Sequence, residues 1–262
     1  MSCSIELKNV SQSFENISYG KVASGKNTSG KNQSEKNAST ITLFENLDLS
    51  IKQGQSYAIT GPSGSGKSSL LMLLSGLEKP TSGQATYIND SDINDSHTRT
   101  HTITATLDNL RSEIGFIFQQ FHLLPELTTL HNIALPLKLR GDKHAIKKAE
   151  HWLDKVGLSD RANHKPSQLS GGEQQRIAIA RALVFSPKFI FADEPTGNLD
   201  QLNASEISDI LFACCQENNA GLIIVTHNSE LASKAQNVYS LANGELMKTS
   251  SINSAEELVA SC

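Results

Sequence analysis

Gly61-Pro62-Ser63-Gly64-Ser65-Gly66-Lys67-Ser68-Ser69 is the stretch whose reading decides the fold. It follows Ser56–Thr60 (SYAIT), a short apolar run with strand character, and it opens Ser68–Leu77, an apolar stretch with helical spacing. A strand, a glycine-rich turn and a helix, with Lys and Ser closing the motif, form the context of a phosphate-binding P-loop. The glycines let successive backbone N–H groups turn inward as an anion nest. The helix that follows adds its N-terminal partial charge. Lys67 is expected to reach β- and γ-phosphate oxygens, and the Ser68 hydroxyl to ligate Mg²⁺.

Other runs extend the same pattern. Lys188–Ala192 (KFIFA) and Leu222–Thr226 (LIIVT) are continuously apolar, as strands buried on both faces of a parallel sheet should be. Ile5–Val10 and Ile41–Ile51 read as further strands, and Lys143–Val156, Gly172–Val184 and Ala204–Gln216 as helices. In Lys143–Val156 the residues Ile146, Ala149, Leu153 and Val156 fall on one stripe, with Gly157 as the expected C-cap. Strands alternating with helices predict an α/β fold. The strand Phe189-Ile-Phe-Ala-Asp193-Glu194 ends in two acids. Acids there are costly unless they are solvated or meet a cation. Asp193 suits the Mg²⁺ side of a P-loop site. Glu194, one residue on, is placed to polarise a water, work typically worth 10²–10⁴ in rate.

The composition narrows the class. A chain of 262 residues accommodates one large domain or two small ones. With 38% hydrophobic residues, it is neither collagen-like nor broadly disordered. The net charge of −4, from 23 basic and 27 acidic residues, argues against a nucleic-acid partner held by bulk charge. Cys3, Cys214, Cys215 and Cys262 form no framework and read as free thiols of a reducing compartment. The longest apolar runs, Leu70–Leu74 and Leu222–Val225, are too short to span a bilayer. The opening MSCSIELKNV has no apolar stretch of the signal-peptide kind. Residues 24–38 repeat a five-residue unit, SGKNT SGKNQ SEKNA, with little to bury, so residues 20–40 are expected to be a flexible low-complexity insert.

Leu169-Ser170-Gly171-Gly172-Glu173-Gln174-Gln175-Arg176 precedes a helical run. Locally, Ser170 with Glu173 is a capping box. Ser-Gly-Gly at a helix start is also an anion site that another backbone can approach closely. This octapeptide resembles the signature of ABC ATPases, and residues 5–16 and 41–248 look like a nucleotide-binding subunit of an ABC transporter. The resemblance implies an α/β P-loop NTPase core of the RecA-like type, with an antiparallel β subdomain and an inserted α-helical subdomain at about 120–165. It implies a single domain over 1–248, with 249–262 as a tail.

The resemblance also assigns roles. Gln119, after Gly115-Phe-Ile-Phe, matches the Q-loop glutamine that contacts metal and water. Asp200, in Asn198-Leu199-Asp200, matches the D-loop, and His227 the switch histidine at the γ-phosphate. Phe14 resembles the aromatic that stacks on adenine, with Tyr19 as the competing candidate. Ser170, Gly171, Gly172 and Glu173 would close in trans over ATP bound by a second copy, so a homodimer with two composite sites is implied. Such subunits hydrolyse ATP with Mg²⁺ and work beneath a separately encoded integral membrane permease, cytoplasmic and peripheral on the inner face of the membrane. The segments QQFHLLP, ANHKPSQLSGG and ADEPTGNLD are most similar to the group that serves lipoprotein release, macrolide efflux and cell division. In that group the alternative to transport is mechanotransmission to an extracytoplasmic hydrolase. His131 stands where the group usually has Glu, which bears on permease docking.

Overall fold

The computed structural model describes residues 3–18, 37–89, 101–102 and 112–249. Six strands form the central sheet in the order β10 (Glu245–Thr249), β9 (Asn237–Ala242), β3 (Ser56–Thr60), β8 (Gly221–Val225), β7 (Phe189–Asp193) and β6 (Ile114–Phe118). The pairs from β9 to β6 are parallel, and β10 closes the edge as an antiparallel hairpin with β9. A second, antiparallel sheet takes the order β2 (Asn37–Lys52), β1 (Cys3–Ser18), β4 (Ser82–Asn89), β5 (His101–Thr102). The helices are α1 (Lys67–Leu74), α2 (Thr129–Leu139), α3 (Ala145–Lys155), α4 (Gly171–Leu183), α5 (Gln201–Glu217) and the short α6 (Ser229–Ser233).

The apolar strands are covered on both faces, and their side chains divide with period two. Phe189, Phe191, Ile223 and Val225 point into one core with α1 and the antiparallel sheet, beside Leu70, Leu74, Ile5, Phe44 and Ile51. Ile190, Ala192, Leu222 and Ile224 point into the other, against Ile133, Leu153, Ile177 and Leu211 of α2 to α5. Helix α1 is thus clamped between two sheets. The expected α/β core is present together with its antiparallel sheet, and α2 and α3 lie between β6 and the signature-bearing α4.

Several elements differ from the expectation. Strand β2 begins at Asn37, inside the segment assigned by composition to the insert, because Asn37–Ile41 pairs residue for residue with Ser18–Phe14. Backbone pairing needs no apolar side chains, so composition underestimates it. The remainder of the insert, Tyr19 and the tail from residue 250 lie outside the described residues. Strand β6 and helix α2 were not delimited in advance, and α2 carries Pro136 within it. The β9–β10 hairpin turns at Asn243-Gly244, both with positive φ. Gly157 does follow α3 as a left-handed terminator, with φ +70°. His131 sits in the first turn of α2. Its N–H donates to the capping Thr128 Oγ1, and its ring Nδ1 lies 2.9 Å from the same oxygen. Cys3, Cys214 and Cys215 are buried, and burial raises the thiol pKa of the latter two.

Candidate functional site

Register places the chemistry on one edge of the central sheet. Phe118, Asp193 and Val225 lie side by side at the ends of three parallel strands, and Ile59 pairs with Val225 on the other flank. The next residues along each chain are Gln119, Glu194, Thr226-His227 and Thr60-Gly61. Four loops therefore leave the carboxyl ends of adjacent parallel strands, the location at which open α/β sheets bind ligands.

The Gly61–Ser69 loop is shaped by close approaches. Gly61 has φ +145°, and a Cβ there would sit 2.2 Å from the carbonyl oxygen of Leu241. Gly66 caps α1 in the left-handed conformation with φ +94° and supplies no side-chain cap. The first turn of α1 also lacks an acid, so its leading N–H groups are free of competing side-chain carboxylates. Lys67 is buried, and its Nζ donates to the carbonyls of Gly61 at 2.9 Å and Pro62 at 2.8 Å. The hydroxyl oxygen of Ser65 is buried without a protein partner. A buried ammonium, an unpaired hydroxyl and an uncapped helix start together suit an anion.

The Ser68 hydroxyl donates to Asp193 Oδ1 at 3.3 Å. Burial pushes the Asp193 carboxyl pKa up. The Ser68 hydrogen bond opposes this, the neighbouring Glu194 charge adds to it, and Lys67 counters it. A partly desolvated carboxylate beside a hydroxyl is an oxygen-donor pair of the kind Mg²⁺ takes, and a cation there would relieve the burial penalty. Glu194 stands in the left-handed region at φ +46°, a strain of about 1–3 kcal/mol for a residue with a Cβ. Its Oε1 accepts from the backbone N–H of His227 at 3.0 Å and lies 2.7 Å from His227 Nδ1. Its Oε2 accepts from the Thr226 hydroxyl at 3.0 Å. The predicted base and switch histidine are thus in direct contact.

Gln119 is bonded elsewhere. Its Nε2 donates to Asn198 Oδ1 at 3.0 Å, and Asn198 Nδ2 donates to the Gln119 carbonyl at 2.9 Å. It therefore touches the D-loop itself and, among the described residues, is not hydrogen-bonded to Ser68 or Asp193. Asp200 caps α5 and accepts from the N–H of Asn203, which holds its carboxyl below the usual range. Ser170 and Glu173 form the reciprocal box at the start of α4, with Ser170 N–H to Glu173 Oε2 at 2.8 Å. That bond, ahead of the Ser170 hydroxyl and Arg161, depresses the Glu173 pKa. Gly171 faces Leu199, and the buried Gly172 packs on Asn203, so signature and D-loop touch within one chain. Phe14 is 44% exposed and pairs with Ile41, itself 49% exposed. Leu43, on the same face of β2, lies against Gly66. An exposed aromatic therefore stands on the face that approaches the P-loop. Asn198, Asn203 and Thr226 are contributors that motif reading did not single out. Sequence reading takes Thr226 only as the last residue of the apolar run Leu222–Thr226.

The fold and this edge define a P-loop nucleotide-binding protein. Residues 44–197 match the family model described as ABC transporter. The lipoprotein-releasing system ATP-binding protein LolD of Legionella pneumophila (strain Lens) is 46% identical over 212 residues, covering 79% of this chain and 90% of that protein. LolD of Coxiella burnetii is 43% identical over 217 residues, covering 81% and 90%. The dimeric structure of a bacterial ABC transporter cassette superposes with a TM-score of 0.70 at 34% identity, covering 93% of this chain and 98% of that one. A dimeric post-hydrolysis state of the same cassette, bound to ADP and Pi, matches equally well. The chain belongs to the ABC transporter family, as an ATP-hydrolysing ATP-binding subunit of the LolD type. Among the described residues no helix is long and apolar enough to cross a membrane.

Proposed function

We propose that this chain is the ATP-driven motor of a lipoprotein-release or export type transporter, working as a homodimer beneath a separate membrane permease on the cytoplasmic face. The observation that carries the reading is the contact of Glu194 with His227 beside Ser68 and Asp193, all on the edge that holds the P-loop. LolD relatives at 43–46% identity support the lipoprotein branch. In the reaction ATP + H₂O → ADP + phosphate, the N–H groups of Gly61–Ser69 and the Lys67 ammonium hold the phosphates. Ser68 and Asp193 are the residues that would hold Mg²⁺, and Gln119 would join them if released from Asn198. When bound, the cation would supply charge neutralisation for the phosphates. Glu194 takes a proton from the attacking water, and His227 turns to the γ-phosphate. Phe14 stacks on the base. Ser170 and Gly172 of one copy close on the nucleotide of the other through contacts made only in the closed state, which is how ATP biases the dimer.

The test is capture of tagged Glu194→Gln chain from detergent-solubilised membranes with ATP, with Lys67→Ala as the control. A few-span membrane protein held only by the first supports the reading. If its outer domain bears on a cell-wall hydrolase, the mechanotransmitting alternative takes over. A soluble homodimer alone removes the permease from the proposal.

A further inference from the structure

We propose that Thr226 is a positioning residue for hydrolysis: its hydroxyl pins Glu194 Oε2 and so leaves Oε1 as the oxygen that receives the water proton. This rests on Glu194 being the base. Thr226 is wholly buried directly after β8. A hydroxyl has one proton to give and two lone pairs. The Thr226 oxygen already accepts from the Asn228 N–H at 3.0 Å, and its own proton runs to Glu194 Oε2 at 3.0 Å. The first partner is backbone and anchors the hydroxyl; the second is the carboxylate oxygen that the hydroxyl holds.

The other oxygen is held differently. Oε1 has the His227 backbone N–H at 3.0 Å and the His227 ring at 2.7 Å. The His227 side chain is 72% exposed, whereas that of Glu194 is 18% exposed. When the ring leaves, Oε1 keeps one backbone donor and regains a lone pair, while Oε2 loses nothing. The Glu194 backbone is fixed as well: its N–H donates to the Val225 carbonyl at 2.9 Å, and its own carbonyl accepts from Gly197 N–H at 3.0 Å. With the backbone clamped and Oε2 pinned, the carboxylate plane is set before the water arrives, which is what efficient proton abstraction requires.

The experiment measures steady-state ATP hydrolysis by the full chain and separates kcat from KM. Thr226→Val keeps the shape and removes the proton. Thr226→Cys, run beside it in case Val fails to fold, keeps the volume and donates only weakly. Both are expected to lower kcat roughly tenfold or more, the factor carried by a hydrogen bond to a charged group, with KM changed less than about twofold. Thr226→Ser should recover most of the turnover. Wild-type kcat in the folded Val and Cys variants overturns the inference. A loss shared equally by Ser, or a change confined to KM, overturns it too. Glu194→Gln is measured in parallel: turnover there sinks the base assignment itself, whereas a dead Glu194→Gln beside an active Thr226→Val sinks only the role of Thr226.

Discussion

Replacing Gly172 with Ala separates two reasons for a glycine at the start of α4. The helix conformation is ordinary here, so backbone strain is not at stake. A Cβ would lie 2.9 Å from Asn203 Oδ1 and 3.4 Å from its Cγ, so Asn203 must give by a few tenths of an ångström. The movement loosens the bond from Asn203 Nδ2 to Asp200 Oδ2, an exposed contact of small worth. Against this, Ala in place of Gly inside a helix gains about 0.5–1 kcal/mol. The two effects nearly cancel, and the melting temperature should move by no more than roughly 2–4 °C. Hydrolysis should fall much further. If the backbone here donates to phosphate on the facing copy, a methyl that blocks the approach costs on the order of 10²-fold in kcat. Scanning fluorimetry and an ATPase assay on the same preparation read both numbers. Gly172→Ala with Asn203→Ala removes the clash and should leave turnover as low as in the single variant. Normal turnover in the single variant, or its return in the double, would refute the trans-phosphate role and leave Gly172 as a packing residue for Asn203.

Lys67→Ala removes a buried ammonium and should weaken ATP roughly 10- to 100-fold in an equilibrium titration, given the worth of charged hydrogen bonds; unchanged affinity contradicts the P-loop assignment. Asp193→Asn relieves a partly desolvated carboxylate and should raise the melting temperature of the nucleotide-free chain while erasing the extra stabilisation that Mg²⁺ gives with ATP; a lower nucleotide-free melting temperature speaks against it. Phe14→Ala should weaken ATP by about 0.5–1.5 kcal/mol, two- to twelvefold, while Phe14→Tyr keeps the affinity; equal binding by all three moves the stack elsewhere. Glu173 has a depressed folded pKa, so its contribution to stability is present above the ordinary glutamate value and lost as pH falls through the lower folded one. Glu173→Gln should therefore flatten the acid side of a stability-against-pH curve, and an unchanged slope would remove Glu173 from that dependence.

Much of this was legible in advance because the motifs carry their own local physics. The strand–turn–helix around Lys67, the acids ending β7 and the capping box at Ser170 are short-range patterns, and each lies where its spacing placed it. What escaped was long-range. The pairing of Asn37–Ile41 with Phe14–Ser18 reaches into the segment whose composition says loop. Strand β6 is five residues long and contains Gly115, too little for periodicity to separate from a turn. The links from Asn198 to Gln119, Gly172 to Asn203 and Thr226 to Glu194 join residues 31 to 79 positions apart, and no spacing rule reports them.

Gln119 and Asn198 fasten the segment leading to the helices to the D-loop. Two exposed hydrogen bonds join them. At about 0.5–1.5 kcal/mol apiece they hold the closed arrangement with a released population between roughly one part in six and one part in 160. The joint therefore opens at a cost of roughly two to five times thermal energy, well within what the binding of a ligand can supply.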